Sequence, residues 1–269
     1  KNRQMLIRKA RFFLTRVIIK NSFLFSELSD FFHSMPAAML RPDDLIELNK
    51  LHYAKPYIVK GWINNAGLGL SRAEEHFCSK YAFPGAKVLV IGCGPGREVL
   101  TLARQGFDVT AIDSSSDMIQ EAGRVISSAG VKAELRALSL YEISSMKKNF
   151  DMIFLGVNYG MIPTRRLRIE VLRSVLSMLS SSGALYLSFT GYKPSKREHQ
   201  KIVLYKMISY LALGNRGVEK GDIILGTGEF HHCFVSADEV IKEAVSAGFT
   251  VDGELRDENA IFLKKKGPC

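Results

Sequence analysis

Two short stretches of the chain hold residues whose types and spacing could do chemistry together. Gly92, Gly94 and Gly96 alternate with Cys93 and Pro95 directly after the apolar run Val88-Leu89-Val90-Ile91, and Asp113 closes a second apolar run twenty-one positions past the first glycine. A buried strand that ends in glycines leaves bare backbone against which a ligand can lie. A carboxylate at the tip of the next strand stands where a βαβ unit receives ribose hydroxyls. An adenosine-containing cofactor is the first ligand this pair suggests. Farther along, His231 and His232 offer imidazoles, which titrate near neutrality and can take a proton from a hydroxyl or ammonium acceptor. Neighbours on an extended segment point opposite ways, so only one of them can readily face a shared site.

These groups need elements to hold them. Segments expected as strands run over about 87 to 92, 108 to 113, 132 to 137, 150 to 156, 184 to 190, 248 to 254 and 259 to 264, with helices expected at about 97 to 105, 116 to 128, 165 to 180 and 236 to 247. Alternation of the two implies an α/β class, with a mostly parallel doubly wound sheet covered by helices on both faces. Ser180-Ser181-Ser182-Gly183 reads as a break between a helix end and the fifth strand. Pro36, Pro42 and Pro56 mark turns or helix starts ahead of the sheet. There Tyr53, Tyr57, Trp62 and Asn65 are candidates for a pocket lining, and His52 and His76 read as structural.

The glycine spacing separates two cofactor classes. A dinucleotide turn wants its third glycine one residue later, where this chain has Arg97. The spacing Gly92-x-Gly94-x-Gly96 resembles instead the first motif of class I S-adenosylmethionine-dependent methyltransferases. The resemblance continues through GREVLTLARQGFDVTAIDSSSDMI, FDMIFLGVNYGMIP, VLRSVLSMLSSSGALYLSF and FHHCFVSADEVIKEAVSAGF, and covers roughly residues 69 to 265 in one order. It implies a Rossmann-like sheet of seven strands whose last strand is antiparallel, an N-terminal helical cap over residues 1–80, and a methyltransferase domain over 81–269. An insertion at 191–230 would shape the acceptor pocket.

The resemblance also implies residue roles. Gly92, Cys93, Gly94 and Gly96 would form the turn against the methyl donor, S-adenosyl-L-methionine. Asp113 would hold the ribose, with Ser114 and Met118 near the adenine. Ser139 stands where the family commonly has an acidic residue for the adenine amino group, beside Leu140. Val157 and Asn158 follow the fourth strand and would touch the donor. Tyr159, His231 and His232 are the catalytic candidates, on a small-molecule acceptor.

Composition bounds the rest. With 269 residues and 46% hydrophobic content the chain can bury a substantial core. Cys78, Cys93, Cys233 and Cys269 lack the paired spacing of a metal site, so a reduced, metal-free cytoplasmic protein is expected. Net charge is +10, and Lys1, Arg3, Arg8, Lys9, Arg11, Arg16 and Lys20 all precede the first acid, Glu27. Such an arm suits peripheral contact with an anionic membrane through residues 1–25, or RNA, although packing on the protein itself or on a second subunit is the favoured alternative. The first residue is lysine, so a natural start upstream is expected. The rival functions are an RNA methyltransferase using the arm with Arg165, Arg166 and Arg168, a membrane-associated protein that binds the donor without turnover, and, least favoured, an NAD-dependent oxidoreductase.

Overall fold

The computed structural model describes residues 34–191 and 198–266. The basic arm and its membrane contact over residues 1–25 lie outside these. Residues 34–39 are helical, and the elements after them are α1 (Pro42–Tyr53), α2 (Pro56–Ile63), α3 (Arg72–Tyr81), β1 (Lys87–Ile91), α4 (Arg97–Arg104), β2 (Asp108–Asp113), α5 (Ser116–Ser128), β3 (Glu134–Ala137), β4 (Phe150–Leu155), α6 (Arg165–Met178), β5 (Leu179–Ser188), α7 (Glu198–Leu211), β6 (Asp222–Ile224), β7 (Phe230–His232), α8 (Ala237–Ala247), β8 (Phe249–Leu255) and β9 (Ala260–Lys265). Short 3-10 turns cover Leu140–Met146, Val157–Met161 and Arg256–Glu258.

Seven strands form one sheet in the order β3-β2-β1-β4-β5-β9-β8. β1 pairs in parallel with β2 and β4, and β9 runs antiparallel to β5 and β8. Strand side chains alternate between faces, and this divides the core in two. Leu89, Ile91, Ile153, Leu155, Leu185 and Leu187 pack toward α6 and α8. Val88, Val90, Met152, Phe154, Ala184 and Tyr186 pack with Phe77 of α3 and with Val99 and Leu102 of α4. Both faces are covered, which is why β1 and β4 read as continuous apolar runs.

Local chemistry sets the helix starts. Pro42 and Pro56 begin α1 and α2, where proline's missing N–H costs nothing. Ser71 and Glu74 form a reciprocal capping box on α3, and Ser115 caps α5. The Ser/Asp-rich opening expected for the helix over 116 to 128 is therefore its cap.

Two expectations need correction. The fifth strand begins at Leu179, directly after α6, and runs through the serines. Leu179 pairs with Phe150, Ser180 Oγ donates to Asp151 Oδ1 at 2.9 Å, and an irregularity in register before Met152 and Ala184 absorbs the extra residues. The segment before α8 is also more ordered than its glycines suggested. β6 and β7 form a separate antiparallel pair, with Asp222 opposite His232 and Ile223 opposite His231. Asn49 of α1 stitches this pair to the cap, accepting from Phe230 N–H at 2.7 Å and donating to Phe230 O at 3.1 Å and to Met161 O at 3.3 Å. Among the described residues no helix is long and apolar enough to cross a membrane.

Candidate active site

Strand order reverses between β1 and β4, so their following loops part and leave a crevice at the carboxyl ends, the place where open α/β sheets bind ligands. A cavity of about 1220 Å³ occupies it. Its wall includes Gly92, Cys93, Gly94, Asp113, Ser114, Met118, Ser139, Leu140, Val157, Asn158 and His231. α1 and α2 supply Tyr53 and Trp62, Asn65 follows α2, and Leu225 and Glu229 come from the loop between β6 and β7.

At one end the glycine turn is built for backbone exposure. Gly92 N–H and Cys93 N–H both donate to Ile112 O, at 2.8 and 3.0 Å, which binds the turn to β2. Asp113 Oδ2 accepts from Gly94 N–H and Oδ1 from Ser115 N–H, each at 2.9 Å. Burial pushes the Asp113 carboxyl above its ordinary value, and these two backbone donors pull it back. Each oxygen keeps lone pairs for further donors. A Cβ on Gly94 would meet nothing within 4 Å, so that backbone is open. A Cβ on Gly92, where φ is +72°, would lie 1.9 Å from Asn158 Nδ2. Asn158 in turn donates to Gly92 O at 3.1 Å and clamps the turn from the β4 side. Gly92→Ala should therefore cost about 2 kcal/mol or more of stability, while Gly94→Ala, strained by its φ of +50° but free of any clash, should cost less, about 1 kcal/mol, and weaken ligand binding; thermal melts with and without ligand would read both.

Arg97, which departs from the dinucleotide pattern, turns away to the α3 cap. Its guanidinium donates to Gly69 O at 2.7 Å and to both carboxylate oxygens of Glu74, at 2.9 and 2.7 Å. It holds the 69–71 strap against the turn. Charge along the cavity opposes that of the chain: Glu47, Glu74, Glu98, Asp113, Glu142 and Glu229 line it with Lys50 and Arg97 as the basic side chains. A net negative wall in a protein of net charge +10 favours a positively charged ligand.

At the other end four polar side chains converge. Glu229 Oε2 lies 3.3 Å from His52 Nε2 and Glu229 Oε1 lies 3.5 Å from His231 Nε2. Tyr53 hydrogen-bonds the same carboxylate, and burial together with that bond raises its phenol well above the ordinary value, so it stays a neutral donor. The His231 imidazole does most to hold the Glu229 carboxyl below the usual range; burial opposes it, and Tyr53 and His52 reinforce it. His52 also bonds Thr227 O through Nδ1 at 3.1 Å, whereas His231 Nε2 is buried with no hydrogen-bond partner.

Several sequence candidates lie elsewhere. Tyr159 is fully buried off the cavity; its hydroxyl donates to Glu243 and its ring stacks on Phe234 at 5.5 Å. His232 faces away from His231, paired through Nδ1 with Asp222 Oδ1 at 2.7 Å. Neither can touch a ligand in the crevice. Gly96 packs on Ala122 of α5 and starts α4, off the cavity wall. Tyr57 is 65% exposed and also off it. Arg168, expected on an RNA-binding surface, is fully buried between Glu243 and Glu219. Cys93 is buried, with its thiol pushed well up by that burial, which suits packing over reaction. Sequence reasoning missed Glu229 and Glu142, each without a motif of its own.

The profile of the methyltransferase domain family matches residues 88–183, the segment from β1 into β5. That segment is therefore similar to a methyltransferase domain, in keeping with the resemblance of its glycine turn and Asp113 to class I S-adenosylmethionine-dependent enzymes. The chain is 27% identical over 122 residues to a ubiquinone biosynthesis O-methyltransferase of Xanthomonas campestris pv. campestris, covering 45% of this chain and 50% of that one. It thus spans about half the length of the curated relatives it matches. It is 35% identical over 71 residues, 26% of this chain and 29% of that one, to an S-adenosyl-L-methionine-dependent Diels-Alderase of a Neonectria species. A SAM-dependent methyltransferase from Methanosarcina mazei superposes with a TM-score of 0.56 at 24% identity, covering 73% of this chain and 98% of that one; at that identity the likeness concerns the fold.

Proposed function

We propose that the chain transfers a methyl group from S-adenosylmethionine to an oxygen of a small-molecule acceptor, with His231 receiving the acceptor's proton. The observation that carries this is the continuity of one cavity from the glycine turn and Asp113 to the Glu229 and His231 pair. The residues fit the donor: open backbone at Gly94, spare lone pairs on Asp113, an acidic wall for a cation, and a volume that exceeds one nucleoside. S-adenosylmethionine, when bound, supplies a methyl group on positively charged sulfur. In this reading Asp113 holds the ribose hydroxyls. Ser139 and the neighbouring Glu142 stand in for the acidic residue that the family commonly places at the adenine amino group. Ser139 Oγ already accepts from Tyr141 N–H at 3.4 Å, so Glu142 is the stronger acceptor of the two. The helices over 42–63, with Leu225 and Glu229 of the 191–230 insertion, serve as the cap over the acceptor.

The His231 imidazole lines the cavity and would take the acceptor's hydroxyl proton. Glu229, 3.5 Å away, stabilises the resulting imidazolium, and Tyr53 and His52 hold Glu229 in place. The Xanthomonas relative is named an O-methyltransferase, which supports oxygen as the acceptor atom, and the Neonectria relative an S-adenosyl-L-methionine-dependent Diels-Alderase, which supports the donor alone.

The test is His231→Gln, assayed with radiolabelled donor against a panel of phenols, alcohols, carboxylic acids and amines. Activity should fall about 100-fold or more, while donor affinity stays unchanged. His232→Gln should retain most turnover and lose stability instead. Donor binding with no methyl release to any acceptor would sink the transferase reading and leave the donor site standing.

A further inference from the structure

Outside the cavity, one face of α7 is apolar and exposed. Val203, Leu204, Met207, Tyr210 and Leu211 are 60, 44, 58, 69 and 79% exposed. At 100° per residue they fall within an arc of about 120°, the stripe of an amphipathic helix. The opposite side already has its partners, since Tyr205 packs with Ala38 and Val218. Contiguous apolar surface rimmed by polar groups marks an interaction site.

Charge identifies the occupant. No acidic residue occurs between Glu198 and Glu219, and the stripe is flanked by exposed Lys206 and by Arg216, whose guanidinium lies 5.8 Å from the centre of the Tyr210 ring. Residues 34–39 meet α7 through Ala38, and residues 1–33 precede them in the sequence. That stretch carries seven lysines and arginines before its first acid, Glu27. Two basic segments do not neutralise each other, whereas an anionic surface attracts both. From this we infer that the exposed face of α7 docks on an anionic lipid bilayer, its apolar stripe entering the headgroup boundary and Lys206 and Arg216 meeting lipid phosphates. A basic-flanked apolar helix with tyrosine at its rim has the composition of an interfacial helix. The inference does not depend on the donor reading.

The full 269-residue chain should co-sediment with phosphatidylcholine vesicles that contain phosphatidylglycerol, and much less with phosphatidylcholine alone. A triple variant, Val203→Ser with Met207→Ser and Leu211→Ser, should bind the anionic vesicles about tenfold more weakly or worse, with melting temperature and donor affinity unchanged. Lys206→Glu with Arg216→Glu should lose binding most at low salt. Failure of the wild type to sediment overturns the inference. So does wild-type sedimentation by the triple variant, because the arm alone would then be the anchor. A dimer that the triple variant dissolves, without vesicle binding, would assign the stripe to a second copy.

Discussion

Asp113→Ala should raise the dissociation constant for S-adenosylmethionine about 100-fold, measured by calorimetry, with far-UV circular dichroism unchanged. Hydrogen bonds to a charged group contribute about 1.5–3 kcal/mol each. Two ribose hydroxyls at the lower figure give about 3 kcal/mol, and 1.4 kcal/mol is a factor of ten. Loss of the carboxylate also frees Gly94 N–H and Ser115 N–H, so part of the effect arises from a looser turn. Asp113→Asn separates the two contributions: the amide keeps one acceptor but sets an N–H₂ against donors on the other side, and it should fall between alanine and wild type. pH provides a third reading. Burial holds this carboxyl above its ordinary value, so donor affinity should begin to fall, as pH is lowered, on the neutral side of the usual carboxylate range. An unchanged dissociation constant in Asp113→Ala would remove the residue from the ribose site.

The second large effect is on stability. Arg168 Nη2 donates to Glu243 Oε1 at 2.8 Å and to Glu219 Oε2 at 2.7 Å, and Nε donates to Glu243 Oε2 at 3.0 Å. Its guanidinium also lies 5.2 Å from the centre of the Phe234 ring. Glu243→Ala strands a buried cation with Glu219 as its remaining carboxylate partner and leaves the Tyr159 hydroxyl without its acceptor. Removal of one partner of a buried pair costs about 3–5 kcal/mol. The surviving Glu219 bond puts the expected loss near 3 kcal/mol, read from urea denaturation, or roughly 5 °C in melting temperature at this chain length. Arg168→Met combined with Glu243→Leu should recover part of it, since apolar replacement of a whole buried pair is often neutral. Equal destabilisation by the double and single variants would show that the surrounding packing, and not the charge, sets the cost.

The two residues also show what local sequence reveals and what it hides. Val88 to Ile91 and Val109 to Asp113 announced buried strands because burial on both faces leaves a continuous apolar run, and the helix over 116 to 128 was legible from its Ser/Asp cap and periodicity. The glycine turn and Asp113 were legible because a tight backbone and a strand-end carboxylate are themselves local features. Arg168 was not. It follows Arg165 and Arg166 in a basic cluster, and the acid that buries it lies 75 positions away. Tyr159 and His232 were misplaced for the same reason: their partners, Glu243 and Asp222, come from segments that only the fold brings near. Glu229 was overlooked because its role depends on His52 and Tyr53, which sit on a helix from the opposite end of the chain. The β6 and β7 pair was hidden by glycines at 217, 221 and 228, which read as loop, while Asn49 supplied the missing strand-like bonds from outside.

That asparagine has a consequence for anyone exchanging parts between homologues. Since Asn49 reads both the N–H and the carbonyl of Phe230, the roof fragments 42–53 and 222–232 form a single exchangeable cassette. A chimera that imports only one of them inherits mismatched halves, and a new acceptor preference can be grafted only by moving the two together.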